Sequence, residues 1–394
     1  MSEPEGRGRS LLRIPRVEFD LAALVLGTVA VAAYAAVWPL LAAVLSVDAA
    51  GAKVVTPGGP RDASAAVVLR STFFGEFQRA FPVPGSDKVT ALLGHPGPLV
   101  RASEKAANTF DTFRADIAAW KLAAVAGALL LVWAVVGGAL ARVYALRKAR
   151  DQSIAFDEGL GFALSNLRAF VQGPVFILAA GAMFAVLVAA CGAASAVPWA
   201  GPVLQVVAQP LSIVFALVTA VIAIGLVFGY PILTAGLAVE RNGSLDAVSR
   251  TFSYVWTRPV TFGLSSLLVV AVVGVIEAVG AWVLALAHTL FLLGASSVDA
   301  ALAPKLADAF VASWSLASPP TAGLGGAATA SVWIGWAVMA VAGLLVRGFA
   351  VSYFVGGMVD VYYILREEVD LVPGTVVHVD GEGESLGDAT PPKS

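Results

Sequence analysis

Long apolar runs separated by short charged stretches dominate this chain. A helix needs about 20 mainly apolar residues to cross a bilayer. Six runs reach that length, at 21–47, 118–146, 170–197, 202–238, 261–293 and 331–365. The fourth and sixth exceed it, so they are expected to tilt or to project beyond the hydrocarbon. Pro210 and Pro231 in the fourth each remove a ladder donor and are expected kink points.

Between the runs the pattern changes character. In 46–120, Thr56-Pro57-Gly58-Gly59-Pro60, Phe81-Pro82-Val83-Pro84-Gly85 and Gly94-His95-Pro96-Gly97-Pro98 punctuate short elements. Helical patterns at 65–80 and 99–120 predict a small external helical cap that packs on the spans. An amphipathic piece is expected at about 298–314, followed by a loop at Ser318 to Gly326.

Two connections echo each other at an offset of about 90 residues: Asp157 to Arg168, and Asp246 to Arg258. Phe156, Leu160, Leu164 and Leu167 share a helical stripe, as do Leu245, Val248, Phe252 and Val255, so both segments are expected to lie in the membrane interface. Ser244 is the expected N-cap of the second, with Asp246 in its first turn. A further echo joins Val143-Tyr144-Ala145-Leu146-Arg147 to Val361-Tyr362-Tyr363-Ile364-Leu365-Arg366. The unit implied is a span, an interfacial helix and a returning span, used twice.

Composition agrees. Of 394 residues, 58% are hydrophobic and 13% charged, against about 45–50% and about 25% for soluble domains. A net charge of −2 gives no nucleic-acid surface. One cysteine, Cys191, and three scattered histidines exclude an internal disulfide and a zinc framework, and no cofactor or metal is expected.

Placing both ends in the cytoplasm puts fourteen basic residues inside and nine outside, eight of the nine within 46–120, a segment whose charges count little for orientation. The first apolar run exceeds the 7–15 residues of a signal core, so an uncleaved anchor is expected despite the small residues Ala50-Gly51-Ala52 behind it. The chain thus divides into a cytoplasmic segment at 1–18, a first span at 19–47, the external cap at 48–117, a five-span domain at 118–365 repeating over about 139–197 and 229–293, and a cytoplasmic tail at 366–394, acidic and disordered from about Pro373.

Glu277 and Arg347 are the charges deepest in the apolar runs, where an ionisable group is costly unless paired or hydrated. At about 1.5 Å per residue their depths match, about 24 and 20 Å from the inner side. Gly274, Gly280 and Ala281 flank the first, and Ala340, Gly343 and Ala350 the second, which permits close helix approach. A structural ion pair is the favoured reading over a solute or proton site, because adjacent opposite charges satisfy each other. His288 is expected to be a solvated interfacial residue, and Gln172, Gln205 and Gln209 to bond locally. Arg250 and Arg258 are candidates for lipid headgroups. No phosphate loop or His-Glu-x-x-His is present, and Gly383-Glu384-Ser385-Leu386-Gly387 lies in the polar tail without the strand and helix that a nucleophile elbow requires.

Asp246-Ala247-Val248-Ser249-Arg250, Tyr254, Arg258-Pro259 and Tyr362-Tyr363-Ile364-Leu365-Arg366-Glu367-Glu368-Val369-Asp370 resemble a family of uncharacterised bacterial multi-pass membrane proteins, over roughly 118–370. That group is loosely similar to the membrane domain attached to some glycerophosphodiester phosphodiesterases. The resemblance implies architecture and a bacterial inner-membrane location, and carries no catalytic chemistry. The expectation is an all-α integral membrane protein of six transmembrane helices with a non-catalytic, structural or accessory role, whose partners are membrane lipids or another membrane protein. The alternative is a transporter or channel using Glu277 and Arg347.

Overall fold

A computed structural model describes residues 20–44, 53–56, 59–62, 119–194, 197–198, 200–241, 243–296, 302–314, 318–319, 321–374 and 376–377. The helices are α1 (Leu21–Val44), α2 (Ala119–Arg150), α3 (Phe156–Ser165), α4 (Leu167–Ala193), α5 (Gly201–Glu240), α6 (Ser244–Thr257), α7 (Pro259–Ser296), α8 (Ala303–Trp314) and α9 (Gly326–Asp370). The expected spans therefore reappear as helices, each within a few residues of its sequence limits. Two four-residue strands, β1 (Lys53–Thr56) and β2 (Gly59–Asp62), pair antiparallel with Thr56 opposite Gly59. Of the cap helices expected at 65–80 and 99–120, the first and all of the second but 119–120, which begin α2, lie outside the described residues.

Five helices, α2, α4, α5, α7 and α9, are long and apolar enough to cross a membrane. The helix α1 is 24 residues long, and its apolar stretch runs at least from Leu21 to Ala36. Several hydroxyls along these helices are satisfied internally: Thr219, Thr234, Thr289 and Ser331 each donate to the carbonyl four residues earlier, at 2.8–3.1 Å, whereas the buried Ser265 and Ser266 hydroxyls of α7 have no partner among the described residues. Such back-bonding removes the need for water at an apolar surface. Pro174, Pro210 and Pro231 all sit inside helices that continue past them, so neither expected kink in α5 ends the helix.

Local chemistry explains the short helices. Asn166 (φ −107°, ψ 13°) separates α3 from α4, its side-chain amide donating back to the Phe162 carbonyl at 2.9 Å. Arg258 (φ −130°, ψ 57°) separates α6 from α7, because the residue before a proline is driven out of the helical region and Pro259 then begins the next helix at N1. The expected N-cap on α6 is corrected: Gly243 holds that position, and Ser244 is the first helical residue, its hydroxyl donating to Gln172 Oε1 at 3.3 Å. Gln172 is thereby engaged with a neighbour.

The chain forms two compact units: 1–26, 133–270 and 352–394 in the first, 27–132 and 271–351 in the second. In the first, the C-terminal parts of α2, α5 and α9 form the core around Leu140, Val143, Ile232, Leu233, Val239, Tyr362 and Leu365, joined by Tyr254 and Phe170. Small residues set the approach. A Cβ on Gly356 would stand 2.8 Å from the Tyr144 ring, one on Gly357 2.7 Å from Val269, and one on Gly173 2.9 Å from Leu233, so these contacts exist only without side chains there. The α4 and α5 helices pack on each other, with Phe184 and Phe215 at 6.2 Å. Their outer faces stay apolar and exposed, as at Val186 (66%), Val203 (73%) and Val206 (71%), the pattern of a helix solvated by lipid.

In the second unit α1, α7, α8 and α9 pack together. A Cβ on Gly348 would stand 2.6 Å from the backbone of Thr28, and one on Gly280 would collide with Val346. Leu306 and Ala309 of α8 pack on Val332 of α9, with Leu292, Leu324 and Trp336 around them.

Candidate functional site

Charges concentrate in the first unit where α5 and α9 end beside α6. The left-handed residues Arg241 (φ 53°) and Leu371 (φ 57°) follow α5 and α9 directly, the geometry of a helix C-terminus that closes its last carbonyls. Just inside those ends lie Glu240, Arg366 and Asp370.

Glu240 is the hub. Arg366 Nε stands 2.9 Å from its Oε1 and an Arg250 terminal nitrogen 3.1 Å from its Oε2. The Arg366 contact is an ion pair whose angle falls outside hydrogen-bond geometry. Both side chains of that pair are more than nine-tenths buried, so each would be a costly orphan alone. Arg250 also holds Asp246 one turn earlier at 3.0 Å and approaches Asp370 at 3.7 Å. It donates to the Tyr254 hydroxyl, which donates to Asp370. The Tyr254 and Tyr362 rings lie 5.7 Å apart, and Tyr362 hydrogen-bonds Glu240. Arg258 faces Glu368 at 3.7 Å, while Thr261 donates to the same carboxylate at 3.2 Å.

The electrostatics follow from these contacts. Burial pulls the Arg250 guanidinium down, but Glu240 and Asp246 outweigh it and its pKa is raised. Burial, then the hydrogen bond to Asp370, pushes the Tyr254 phenol above its ordinary range. Both groups keep their neutral-pH protonation states.

Further ties surround the hub. Arg142 donates to the Ala238 carbonyl at 2.9 Å and stacks over the Phe162 ring at 4.5 Å, joining α2, α3 and α5. Lys148 pairs with Asp360. Asp20 caps α1 through the Ala22 and Ala23 amides, at 2.8 and 3.3 Å, and uses its other oxygen to hold Arg147. After α9, Arg366 donates to the Val376 carbonyl at 2.7 Å and Arg150 to the Val377 carbonyl at 3.5 Å, leaving Val377 buried. The tail expected to loosen at Pro373 is thus held as far as Val377, because two guanidiniums reach past the helix end.

Arg250 and Arg258, the headgroup candidates, are each 41% exposed and already engaged by carboxylates. Glu277 and Arg347 lie on α7 and α9 of the second unit, where Arg347 is the charged group acting on Glu277. No ion pair within 4.0 Å joins the two among the described residues. Gln209 is exposed, and Gln205 has a buried carbonyl oxygen without a partner among those residues.

His288 departs from expectation. Rather than being solvated it is 7% exposed, because α8 covers it and stacks Phe310 on its ring at 4.4 Å and 12°. No group of three or more metal-binding side chains converges among the described residues. Sequence reasoning gave Glu240 and Asp20 no role. Arg366 and Asp370 entered it only within the motif that carries the family resemblance, and Arg366 also within the repeated Val-Tyr-Leu-Arg pattern, neither with a site role.

These features define a mainly helical chain with several membrane-length helices and an ionic cluster, centred on the buried Glu240–Arg366 pair, where two of those helices, α5 and α9, end beside α6. No family model, no curated protein and no solved structure matches it.

Proposed function

We propose that the protein is a non-catalytic, multi-pass component of a bacterial cytoplasmic membrane, with six spans, both termini in the cytoplasm, and a structural or accessory role exercised by binding membrane lipid. The observation carrying this reading is the two-sided construction of α3 and α6. Each turns small or polar residues toward the protein, Gly159 and Ala163 in one, Ala247, Thr251 and Tyr254 in the other. Each leaves large apolar side chains outside: Phe156 at 51% and Leu164 at 52%, Leu245 at 63% and Trp256 at 64%. Flanked by Arg168, Arg241 and Arg258, these faces suit the boundary between headgroups and acyl chains. The long, short, long order of α2-α3-α4 and α5-α6-α7 supports a repeated unit of the same design. Orientation rests on the basic residues, and the bacterial location on the family resemblance.

Spin labels at Leu164 and Leu245 test the reading. Strong collision with oxygen and weak collision with a water-soluble nickel chelate are expected at both sites in bilayers. Free access of the chelate at both would sink it. Reporter fusions at Pro98 and Asp370 check orientation, with an external signal at Asp370 counting against it.

A second reading, passage of a small solute or lipid past Glu277 and Arg347, draws on the lack of any hydrogen bond to Glu277 among the described residues, since a carboxylate left open at span depth is available to a solute. A water-soluble carbodiimide reaching Glu277 in bilayers would favour passage, and protection would favour the structural role.

A further inference from the structure

His288 sits in dry, aromatic surroundings that suit a neutral ring better than a charged one. Its ring is 7% exposed, it lies face to face with Phe310 at 4.4 Å, and Phe291 stands 6.1 Å away. Among the described residues neither ring nitrogen has a hydrogen-bond partner. Neutral imidazole offers one donor and one acceptor, whereas imidazolium offers two donors and a full charge. Attraction of a cation to the Phe310 face offsets only part of what water would supply to both N–H groups.

Nothing nearby compensates the charge. From α7 the nearest charged group is Glu277, eleven residues away, or about 16 Å along the helix. From α8 come Lys305, of like sign, and Asp308, which is exposed. The part of α9 packed on α8, around Val332 and Trp336, has no charged residue before Arg347, and the residues at 318–325 have none. The Ser313 hydroxyl is turned back to the Phe310 carbonyl at 2.7 Å.

An apolar cluster holds α8 down: Leu306 and Ala309 pack on Val332 with Leu292, Leu324 and Trp336 around them, and Phe310 stacks on His288. α8 has twelve residues, so its helicity depends on this packing more than on propensity. We propose that α8 is a pH-operated lid: the uncharged His288 ring seats Phe310 and keeps the lid closed, and protonation of the ring releases α8 so that the imidazolium reaches water. A histidine titrates between about pH 5 and 8 in ordinary surroundings, which places release on the acid side of neutrality. The inference does not depend on the lipid-binding reading.

The test is a distance between nitroxides at two exposed sites, Asp308→Cys on α8 and Ile334→Cys on α9, in a Cys191→Ala background, using full-length protein in nanodiscs. At pH 8 one narrow distribution is expected. Toward pH 5 a longer, broader population should grow, by up to about tenfold per pH unit for a single proton. The shift should vanish in His288→Phe, which keeps the stack and cannot titrate. Should that variant fail to fold, His288→Gln serves in its place. Identical distributions at pH 8 and 5, or a shift surviving both substitutions, would overturn the proposal.

Discussion

Glu240 in one unit and His288 in the other are equally withdrawn from solvent, each 7% exposed as side chain and as residue respectively. Their surroundings differ in kind. Glu240 has two guanidiniums within 3.1 Å, while His288 has ring faces and no hydrogen bond among the described residues. The first arrangement gathers opposite charges until each is answered, and it ties α5, α6 and α9 into one rigid end. The second keeps a titratable group neutral by packing alone, a state sensitive to any change in its protonation. Buried polar groups therefore serve as fasteners in one region and as a point of sensitivity in the other.

The contrast breaks most visibly at the hub. Glu240→Gln leaves Arg366 buried without its counter-charge, and a loss of about 3–5 kcal/mol is expected from thermal denaturation in detergent. A loss below about 1 kcal/mol would mean that the cluster is decorative.

Packing should matter comparably in the second unit, independently of charge. Gly348→Ala places a methyl against the Thr28 backbone and should cost about 1–3 kcal/mol. Gly161→Ala, which meets nothing within 4 Å, is the control and should be neutral or slightly stabilising through helix propensity.

Glu277 and Arg347 offer a smaller effect. Because no ion pair within 4.0 Å joins them, the coupling in a cycle of Glu277→Gln, Arg347→Gln and the double change should be about 1 kcal/mol, below that at the hub. Strict additivity would show two independent charges.

The smallest effect concerns pH. The fold raises the Tyr254 phenol above its unfolded value of about 10, so its contribution is fully present below that pH and is lost as pH rises beyond it. Tyr254→Phe should flatten the alkaline limb of a stability profile measured from pH 8 to 11, and an unchanged limb would place the titration elsewhere.

The helices were legible in the sequence because apolar runs of membrane length are set by local composition. Breaks at Asn166 and Arg258-Pro259 have local causes too, and the amphipathic stripes of α3 and α6 placed large apolar side chains on faces that remain partly or largely exposed. Local pattern also isolated Glu277, Arg347, Arg250 and Arg258 as residues of interest. It could not say that Arg250 meets Glu240 and Asp370, since those contacts join residues brought together by the packing of α5, α6 and α9. Glu240 drew no local signal at all, and Ser244 looked like a cap rather than a partner for Gln172. His288 was misread for the same reason: exposure belongs to the assembled molecule, and α8 lies in a separate stretch of chain. Sequence determined which segments are helical and which faces are apolar, through periodicity and backbone chemistry. Tertiary structure alone decided which charges are answered and which titratable ring is covered, because both depend on distances between residues far apart along the chain.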